Sequence, residues 1–264
     1  MKILITGATG FVGRNLLNVL DKGYDVRILS RKKFDRKNVY LGDLFDKDLL
    51  LEASKVDVVV HLAGITKGNV MEVNSLGTKN LIEACVVNNV KKFIFISSYD
   101  AILETRYGRS KKSAENYVRD SGLNYTILRP TVIYGRGNNK DLEMLIKMIK
   151  KYSIAVIPGN GDMKLQPLFV GDLVDLIANI IKSKEKNKTY FVGGEILSFN
   201  EIVDKICRAL SKKAIRINIP NFAVRFIDKN LLQDKTCNIN EIKKDFGFNP
   251  TPFEKGIEYL RHDS

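Results

Sequence analysis

Hydrophobic residues in the first half of the chain fall into short continuous runs, separated by segments in which apolar residues recur at helical spacing. The continuous runs are KILIT (2–6), DVRILS (25–30), VDVVVHLAG (56–64), KKFIFISS (91–98) and YTILRPTVIYG (125–135). Amphipathic segments after the first run, at 70–89 and at 107–121 predict helices. Buried strands that alternate with helices are typical of a parallel sheet covered on both faces. We therefore expect the α/β class with a doubly wound parallel sheet.

The second half of the chain changes in character after Gly135. The pattern predicts a basic amphipathic helix at 141–152 and a helix that begins near Asp172. Ser198 and Glu201 have the spacing of a capping box at the start of a further helix. We expect one sheet domain made of 1–134 and 165–197, and a smaller C-terminal lobe made of 135–164 and 198–264.

The chain is strongly basic, with 43 Lys and Arg against 30 Asp and Glu and a formal net charge of +13. The lysines are spread along almost the whole chain and interleaved with acids, which is typical of a solvated surface rather than a nucleic-acid-binding stripe. We therefore expect no nucleic-acid partner. A basic field would still attract a phosphorylated cofactor or substrate.

Hydropathy and the number of cysteines indicate where in the cell the protein is expected. No apolar run reaches the roughly 18 residues of a membrane span, and MKILITGATG has too few apolar residues for a signal-peptide core. We expect a cytoplasmic protein with no membrane span. The widely separated Cys85, Cys207 and Cys237 indicate neither a disulfide framework nor a metal site, and with only His61 and His262 no metal is expected.

A glycine-rich stretch, GATGFVG (7–13), lies between the first predicted strand and the first predicted helix. Gly7 would allow the sharp turn out of the strand, and Gly13 would allow close contact between helix and sheet. Gly10 would let the backbone approach a pyrophosphate, which the free amides of a helix N-terminus attract. The spacing predicts a dinucleotide site.

The end of the second strand indicates which dinucleotide binds. An acidic residue there accepts a hydrogen bond from a ribose 2′-hydroxyl, whereas an arginine accommodates a 2′-phosphate. Here the strand ends in Ser30 and is followed by Arg31, Lys32 and Lys33. The pattern favours NADP over NAD.

Ordered motifs along nearly the whole chain resemble the extended short-chain dehydrogenase/reductases of the nucleotide-sugar epimerase/dehydratase superfamily. Besides GATGFVG they are GDL (42–44), HLAG (61–64), VNSLGT (73–78), FISS (95–98), YGRSK (107–111), LRPTVIYG (128–135), FVGDLVD (169–175) and GFNPTPFEKGI (247–257). The resemblance implies a Rossmann domain with a C-terminal substrate-binding lobe. It also implies cofactor contacts from Gly7, Thr9, Gly10, Phe11, Val12, Gly13, Ser30, Arg31, Lys32, Asp43, Leu44, Leu62, Ala63, Gly64, Tyr107, Lys111, Pro130, Thr131 and Val132.

The same resemblance assigns a role to YGRSK. It implies that Tyr107 is the catalytic acid/base, Lys111 its electrostatic partner and Ser98 the hydroxyl that orients the reacting oxygen. A free tyrosine has a pKa near 10, too high for a base at neutral pH. A lysine ammonium and a nicotinamide cation would both favour the phenolate and lower that pKa.

The implied reaction is hydride transfer between a nicotinamide cofactor and a secondary alcohol or ketone. The expected substrate is a nucleotide sugar, used by an epimerase, a dehydratase or a reductase. The residues expected near the substrate are Thr66, Arg136, Asn138, Gln166 and Arg225. A monomer or a homodimer is expected.

One departure from the pattern leaves a second interpretation open. Ser98 precedes Tyr107 by only nine residues (107 − 98), and many sugar epimerases have a longer insertion there. The short form resembles an atypical branch that includes an accessory subunit of respiratory complex I, so the alternative is a non-catalytic, NADPH-bound structural or assembly protein. Asp100 also stands where a threonine is common.

Overall fold

The computed structural model describes residues 1–20, 23–137, 142–184, 187–228 and 232–261, and for 225, 227, 228 and 261 only the backbone. The strands are β1 (Lys2–Thr6), β2 (Asp25–Ser30), β3 (Val39–Leu41), β4 (Val58–His61), β5 (Lys92–Ile96), β6 (Tyr125–Pro130), β7 (Ile133–Tyr134), β8 (Ile154–Pro158), β9 (Lys164–Leu165), β10 (Leu168–Phe169), β11 (Lys188–Val192), β12 (Leu197–Ser198) and β13 (Ile215–Ile219). The α-helices are α1 (Phe11–Leu20), α2 (Lys47–Ala53), α3 (Gly77–Val87), α4 (Arg106–Asp120), α5 (Leu142–Tyr152), α6 (Val170–Lys182), α7 (Phe199–Ala209), α8 (Asn221–Asp228), α9 (Asn240–Phe246) and α10 (Phe253–Arg261).

Seven strands form one sheet in the order β11-β6-β5-β4-β1-β2-β3. The neighbours from β3 to β6 pair in parallel, so their carboxyl ends share one edge. The strand order reverses between β1 and β4, and a crevice outside the carboxyl ends at such a point is the usual ligand site of open α/β sheets. The predicted α/β class and doubly wound parallel sheet are confirmed.

This sheet belongs to the first of two compact units, made of Met1–Pro130, Leu173–Phe191 and Asn240–Phe248. Its core includes Leu4, Leu29, Val59, Phe93 and Ile127, one residue from each of five adjacent strands. Residues of α2, α3 and α4 complete this cluster. Continuous burial along β4 and β5 explains why their sequences are apolar runs rather than alternating patterns.

The second unit is made of Thr131–Asp172, Val192–Ile239 and Asn249–Ser264. Its strands form three pairs, β8–β13 and β7–β10 in parallel and β9–β12 antiparallel. Helices α5, α7 and α10 supply much of its core, with Tyr134 and Phe253 fully buried at a ring-centroid distance of 5.0 Å. A substrate-binding role for this unit stays a prediction.

The predicted elements are largely confirmed. β1 and β2 have the expected bounds, α7 has the capping box of Ser198 and Glu201, and α6 begins at Val170, two residues before Asp172. The segment expected as one helix at 70–89 is instead a π-helix, Met71–Leu76, followed by α3. No helix of the described ranges is long and apolar enough to cross a membrane.

Candidate cofactor and active site

The glycine loop after β1 has contacts that only glycine allows at two of its positions. Gly7 has φ +74°, and a Cβ there would lie 2.6 Å from the backbone nitrogen of Ala63. A Cβ on Gly13 would lie 2.3 Å from the carbonyl oxygen of Gly7. The loop is closed by a hydrogen bond from the Gly10 amide to the Gly7 carbonyl, 3.0 Å long. The first turn of α1 therefore sits directly on the end of β1, with its amides at the sheet edge.

A cleft of about 320 Å³ lies at the carboxyl edge of the sheet, within the first unit. Its lining includes ten of the residues expected to contact a cofactor: Gly7, Thr9, Gly10, Ser30, Arg31, Asp43, Leu44, Leu62, Ala63 and Gly64. Thr6, Leu29, Gly42, Phe45, Ile65 and Val73 complete it. The sequence did not single out these six residues. Phe11, Val12 and Gly13 lie in the first turn of α1, and Lys32 lies beyond the lining.

The β2 side of the cleft carries a cation. Arg31 lines the cleft and is exposed. The Ser30 hydroxyl donates to the Lys32 carbonyl at 2.8 Å and accepts from the Lys32 amide at 3.1 Å. Ser30 therefore stabilises the turn that follows β2. The carboxylate in the lining is that of Asp43, which accepts from the Phe45 amide at 2.8 Å.

Helix α4 brings Tyr107 and Ser98 together. Thr105 caps the helix by accepting from the Gly108 amide at 2.9 Å. A Cβ on Gly108 would lie 2.1 Å from the carbonyl oxygen of Asp100, so this glycine lets the helix pack against the turn that follows Ser98. This packing role of Gly108 was not predicted from the sequence, although Gly108 lies inside YGRSK.

The Ser98 hydroxyl lies close enough to the Tyr107 phenol to act on its pKa. Burial raises the pKa of Tyr107 to about 12, the Ser98 hydroxyl opposes this, and the Asp100 carboxylate adds to it. The sequence predicted that a lysine and a nicotinamide cation together would lower this pKa. The protein by itself shifts it in the opposite direction because burial outweighs the effect of Ser98.

Lys111 is buried one helical turn from Tyr107. Its Nζ donates to the Ile96 carbonyl at 2.8 Å and lies 4.8 Å from the centre of the Phe95 ring. A Cβ on Gly64, which lines the cleft, would lie 3.6 Å from this Nζ. Burial lowers the pKa of Lys111 to about 8, and the charge of Glu115 opposes the shift. Lys111 therefore stands directly behind one wall of the cleft.

Asn74 is a site residue that the sequence analysis did not identify. It lies in the π-helix and is buried. Its amide oxygen accepts from the Ile65 amide and its nitrogen donates to the Ile65 carbonyl, both at 2.8 Å. The same nitrogen donates to Ser110 Oγ at 3.0 Å. Asn74 thus ties the cleft wall after β4 to α4, and its position within VNSLGT was the available signal.

His61 forms a buried chain of hydrogen bonds between β1 and α3. The Thr78 hydroxyl donates to the Asn74 carbonyl at 2.6 Å, so it must accept from His61 Nε2 at 2.8 Å. His61 Nδ1 is then the acceptor for the Thr6 hydroxyl at 2.6 Å, and Thr6 Oγ1 accepts from the Ala63 amide at 3.2 Å. Only a neutral imidazole with its proton on Nε2 fits this chain.

The residues expected near a substrate are found in different surroundings. Thr66 and Arg136 are exposed, Asn138 lies outside the described residues, and Arg225 lies in α8 with its side chain outside the described part. Gln166 is buried in the second unit, where it donates to the Gly194 carbonyl at 3.1 Å and accepts from the Cys237 amide at 2.8 Å. These contacts give Gln166 a structural role, and its contact with substrate stays a prediction.

The predicted nicotinamide contacts lie where β6 ends. Pro130 is the last residue of β6, and Val132 is half-buried. In the second unit, the Thr131 amide donates to the Val192 carbonyl at 2.9 Å. Within the described ranges, no group of three or more His, Cys, Asp or Glu side chains is placed to hold a metal ion.

Comparisons with known proteins find related sequences along most of the chain. The model of the NAD dependent epimerase/dehydratase family matches residues 3–193. UDP-glucose 4-epimerase of Vibrio cholerae is 29% identical over 268 residues, which cover 86% of this chain and 81% of that protein. Mitochondrial NADH dehydrogenase (ubiquinone) 1 alpha subcomplex subunit 9 of Dictyostelium discoideum is 27% identical over 266 residues, which cover 90% of this chain and 72% of that protein.

Solved structures share the fold over nearly the whole chain. MoeE5 in complex with UDP-glucuronic acid and NAD superposes with a TM-score of 0.85 at 21% identity, covering 100% of both chains. UDP-glucose 4-epimerase of Thermotoga maritima with UDP-glucose gives a TM-score of 0.84 at 22% identity, covering 99% of both chains. At these identities the likeness concerns the fold.

Proposed function

The chain belongs to the NAD dependent epimerase/dehydratase family, and from this premise we propose that it is an enzyme that transfers hydride between a nicotinamide cofactor and a secondary alcohol or its ketone. The family resemblance inferred from the sequence motifs is confirmed. The specific reaction, the cofactor and the substrate form the rest of the proposal.

The observation that carries the proposal is that Ser98 and Tyr107 lie close together while Lys111, on the same helix as Tyr107, is buried at the wall of the cleft. Tyr107 would exchange a proton with the reacting oxygen, and Ser98 would orient that oxygen. Lys111 would favour the phenolate and bind the cofactor ribose. The bound cofactor supplies hydride acceptance and donation.

The cleft residues fit a dinucleotide. Gly7 and Gly13 allow the tight loop over the end of β1, and the N-terminus of α1 offers amides to a pyrophosphate. Asp43 and Leu44 would flank the adenine. Arg31 at the end of β2 supports NADP, because a guanidinium suits a 2′-phosphate. Against this, MoeE5, which has a similar fold, was solved with NAD, so NAD is the alternative cofactor.

A nucleotide sugar is the proposed substrate. The Vibrio cholerae relative is named for UDP-glucose, and MoeE5 was solved with UDP-glucuronic acid. The second unit would bind this substrate, with Arg136 as a polar candidate near the pocket mouth and Arg225 as the candidate diphosphate contact.

The test begins with the small molecules that copurify with the protein, identified by mass spectrometry. The protein is then incubated with UDP-glucose and UDP-glucuronic acid in the presence of NADP or NAD, and with simple ketones in the presence of NADPH or NADH. We expect turnover with NADP that disappears in Tyr107→Phe while NADPH still binds. Absence of any Tyr107-dependent turnover would contradict the proposed reaction.

A non-catalytic, NADPH-bound assembly protein is the second candidate. It is favoured by the Dictyostelium relative, whose name places it in a respiratory complex, and by the upward pKa shift of Tyr107. This candidate predicts tight NADPH binding, a stoichiometric partner recovered from native lysate, and no effect of Tyr107→Phe beyond stability.

A further inference from the structure

Glu115 is a buried carboxylate that the proposed reaction does not yet use. It lies on α4, four residues after Lys111, and its side chain is 0% exposed. Oε1 accepts from the Ser97 hydroxyl at 2.7 Å and from Arg129 Nε at 2.8 Å. Oε2 accepts from Arg129 Nη2 at 2.6 Å and from Arg119 Nη2 at 2.7 Å. Both oxygens are therefore fully engaged.

These bonds connect the elements that carry the candidate site. Ser97 directly precedes Ser98 after β5, and Arg129 directly precedes Pro130 at the end of β6. Glu115 lies on α4, as do the candidate catalytic residues Tyr107 and Lys111. A single carboxylate thus fixes two strand ends against one helix.

Glu115 is held in its charged form. Burial pushes its pKa up, but hydrogen bonds from Arg129, Ser97 and Arg119 together lower it below the usual value. The geometry is the bidentate arrangement that arginine forms with carboxylates. Removing one partner of such a buried pair leaves an uncompensated charge.

The Glu115 carboxylate acts on the ammonium group of Lys111, which lies at the cleft wall. The other neighbours of Lys111 are His61 on β4, Asn74 in the π-helix, and the Phe95 ring and Ile96 carbonyl on β5, and Tyr107 lies one helical turn earlier on α4. The hydrogen-bond chain keeps His61 neutral, and Tyr107 is protonated at neutral pH. Of these groups, Glu115 supplies the negative charge that opposes deprotonation of the lysine.

We propose that Glu115 is a positioning residue of the reaction centre, which fixes Ser98 and the end of β6 against α4 and places a negative charge one helical turn from Lys111. The proposal rests on the proposed function insofar as Ser98 and Lys111 act in catalysis. The electrostatic part of the proposal is the effect of the Glu115 charge on the titration of Lys111. This effect can be measured without a substrate.

The test compares Glu115→Gln with the unmodified protein in two measurements. The Lys111 titration is followed by NMR of labelled lysine side chains and assigned with Lys111→Met. NADPH affinity is measured by fluorescence between pH 6 and 10. In Glu115→Gln we expect Lys111 to lose its proton at lower pH. NADPH binding should then weaken at a pH where the unmodified protein still binds, by about tenfold for each unit by which the Lys111 pKa falls.

Glu143→Gln is the matched control, because Glu143 is a buried glutamate of the second unit. It should leave both measurements unchanged. Ser97→Ala separates position from charge: it removes the Ser97 bond to Glu115, so it should disturb the Tyr107 phenol resonance while Lys111 titrates as before. If Glu115→Gln does not fold, Ser97→Ala still tests the positioning part of the proposal.

An unchanged Lys111 titration in Glu115→Gln would overturn the electrostatic part of the proposal, and an unchanged phenol resonance in Ser97→Ala would overturn the positioning part. Failure to find any substrate would count against the proposed function alone, because the Lys111 titration requires no turnover.

Discussion

The Ser98 hydroxyl and the Tyr107 phenol lie close together, although Tyr107 follows Ser98 by only nine positions in the chain (107 − 98). Ser98 caps the short helix Tyr99–Ile102, and Gly108 allows that helix to pack on α4. The short connection therefore suffices to bring the two hydroxyl groups together without a longer insertion.

Replacing the phenol should separate chemistry from binding. We expect Tyr107→Phe to lower turnover by about 10²- to 10⁴-fold, the usual contribution of general acid–base catalysis, with NADPH affinity nearly unchanged. Because the pKa of Tyr107 is raised to about 12, the phenolate absorbance assigned by difference to Tyr107 should appear only well above pH 10. Phenolate formation near neutral pH in the cofactor-free protein would contradict this assignment.

Cofactor preference should depend on Arg31. A charge-assisted hydrogen bond to a phosphate contributes about 1.5–3 kcal/mol, so Arg31→Ala should weaken NADP binding roughly ten- to a hundredfold. NAD binding should change far less because NAD lacks the phosphate. Ser30→Asp should reverse the preference by offering the ribose an acceptor. Calorimetric titration with both cofactors measures this, and an unmoved NADP/NAD ratio in Arg31→Ala would show that Arg31 is only a solvated charge.

The stability of the protein should depend on pH through His61. Burial, with a smaller contribution from the Lys111 charge, lowers the pKa of His61 to about 3. The unfolded chain takes up this proton near pH 6.5, so the contribution to stability is complete above that pH and is lost as the pH falls toward 3. Urea unfolding of His61→Gln should show a smaller loss of stability between pH 6.5 and 4 than the unmodified protein, because the carboxylate contributions are common to both.

Gly13 should not tolerate a methyl group. Alanine favours a helix over glycine by about 1 kcal/mol, but a Cβ here would lie 2.3 Å from the Gly7 carbonyl oxygen and 2.6 Å from the Ala8 Cα. Both atoms belong to backbone that the cleft requires, so we expect Gly13→Ala to destabilise the protein by about 1–3 kcal/mol and to weaken NADPH binding. Asn18→Ala, exposed on the same helix, is the control and should stay within about 0.5 kcal/mol.

The sequence predicted what depends on local patterns. Continuous apolar runs gave the bounds of β1 and β2, and the spacing of Ser198 and Glu201 gave the start of α7. The three-residue β3 and the exposed β13 were not predicted, because half-exposed or exposed strands lack a continuous apolar run. The π-helix was missed because a wider turn has no distinct apolar period over six residues.

Only those residues of the candidate site that lie within sequence motifs could be predicted from the sequence. The glycine loop and YGRSK named residues that lie at or beside the cleft. The hydrogen-bond partners of His61, in contrast, are 55 and 17 residues away along the chain. Arg129 and Ser97, which donate hydrogen bonds to Glu115, are 14 and 18 residues away from it. Such contacts form only when the strands have taken their places in the sheet, so no local sequence pattern predicts them.

The order of strands also has a consequence for the chain while it is being made. β11 pairs beside β6 at one edge of the sheet, and the Asn187 amide begins this pairing by donating to the Tyr125 carbonyl at 2.6 Å. The ribosome completes β6 long before β11, with Thr131–Asp172 of the second unit in between. A nascent chain that stalls in that interval presents β6 as an open edge, and open edges pair with other chains. The interval between the synthesis of β6 and that of β11 is therefore one in which the growing polypeptide is exposed to aggregation on a crowded polysome.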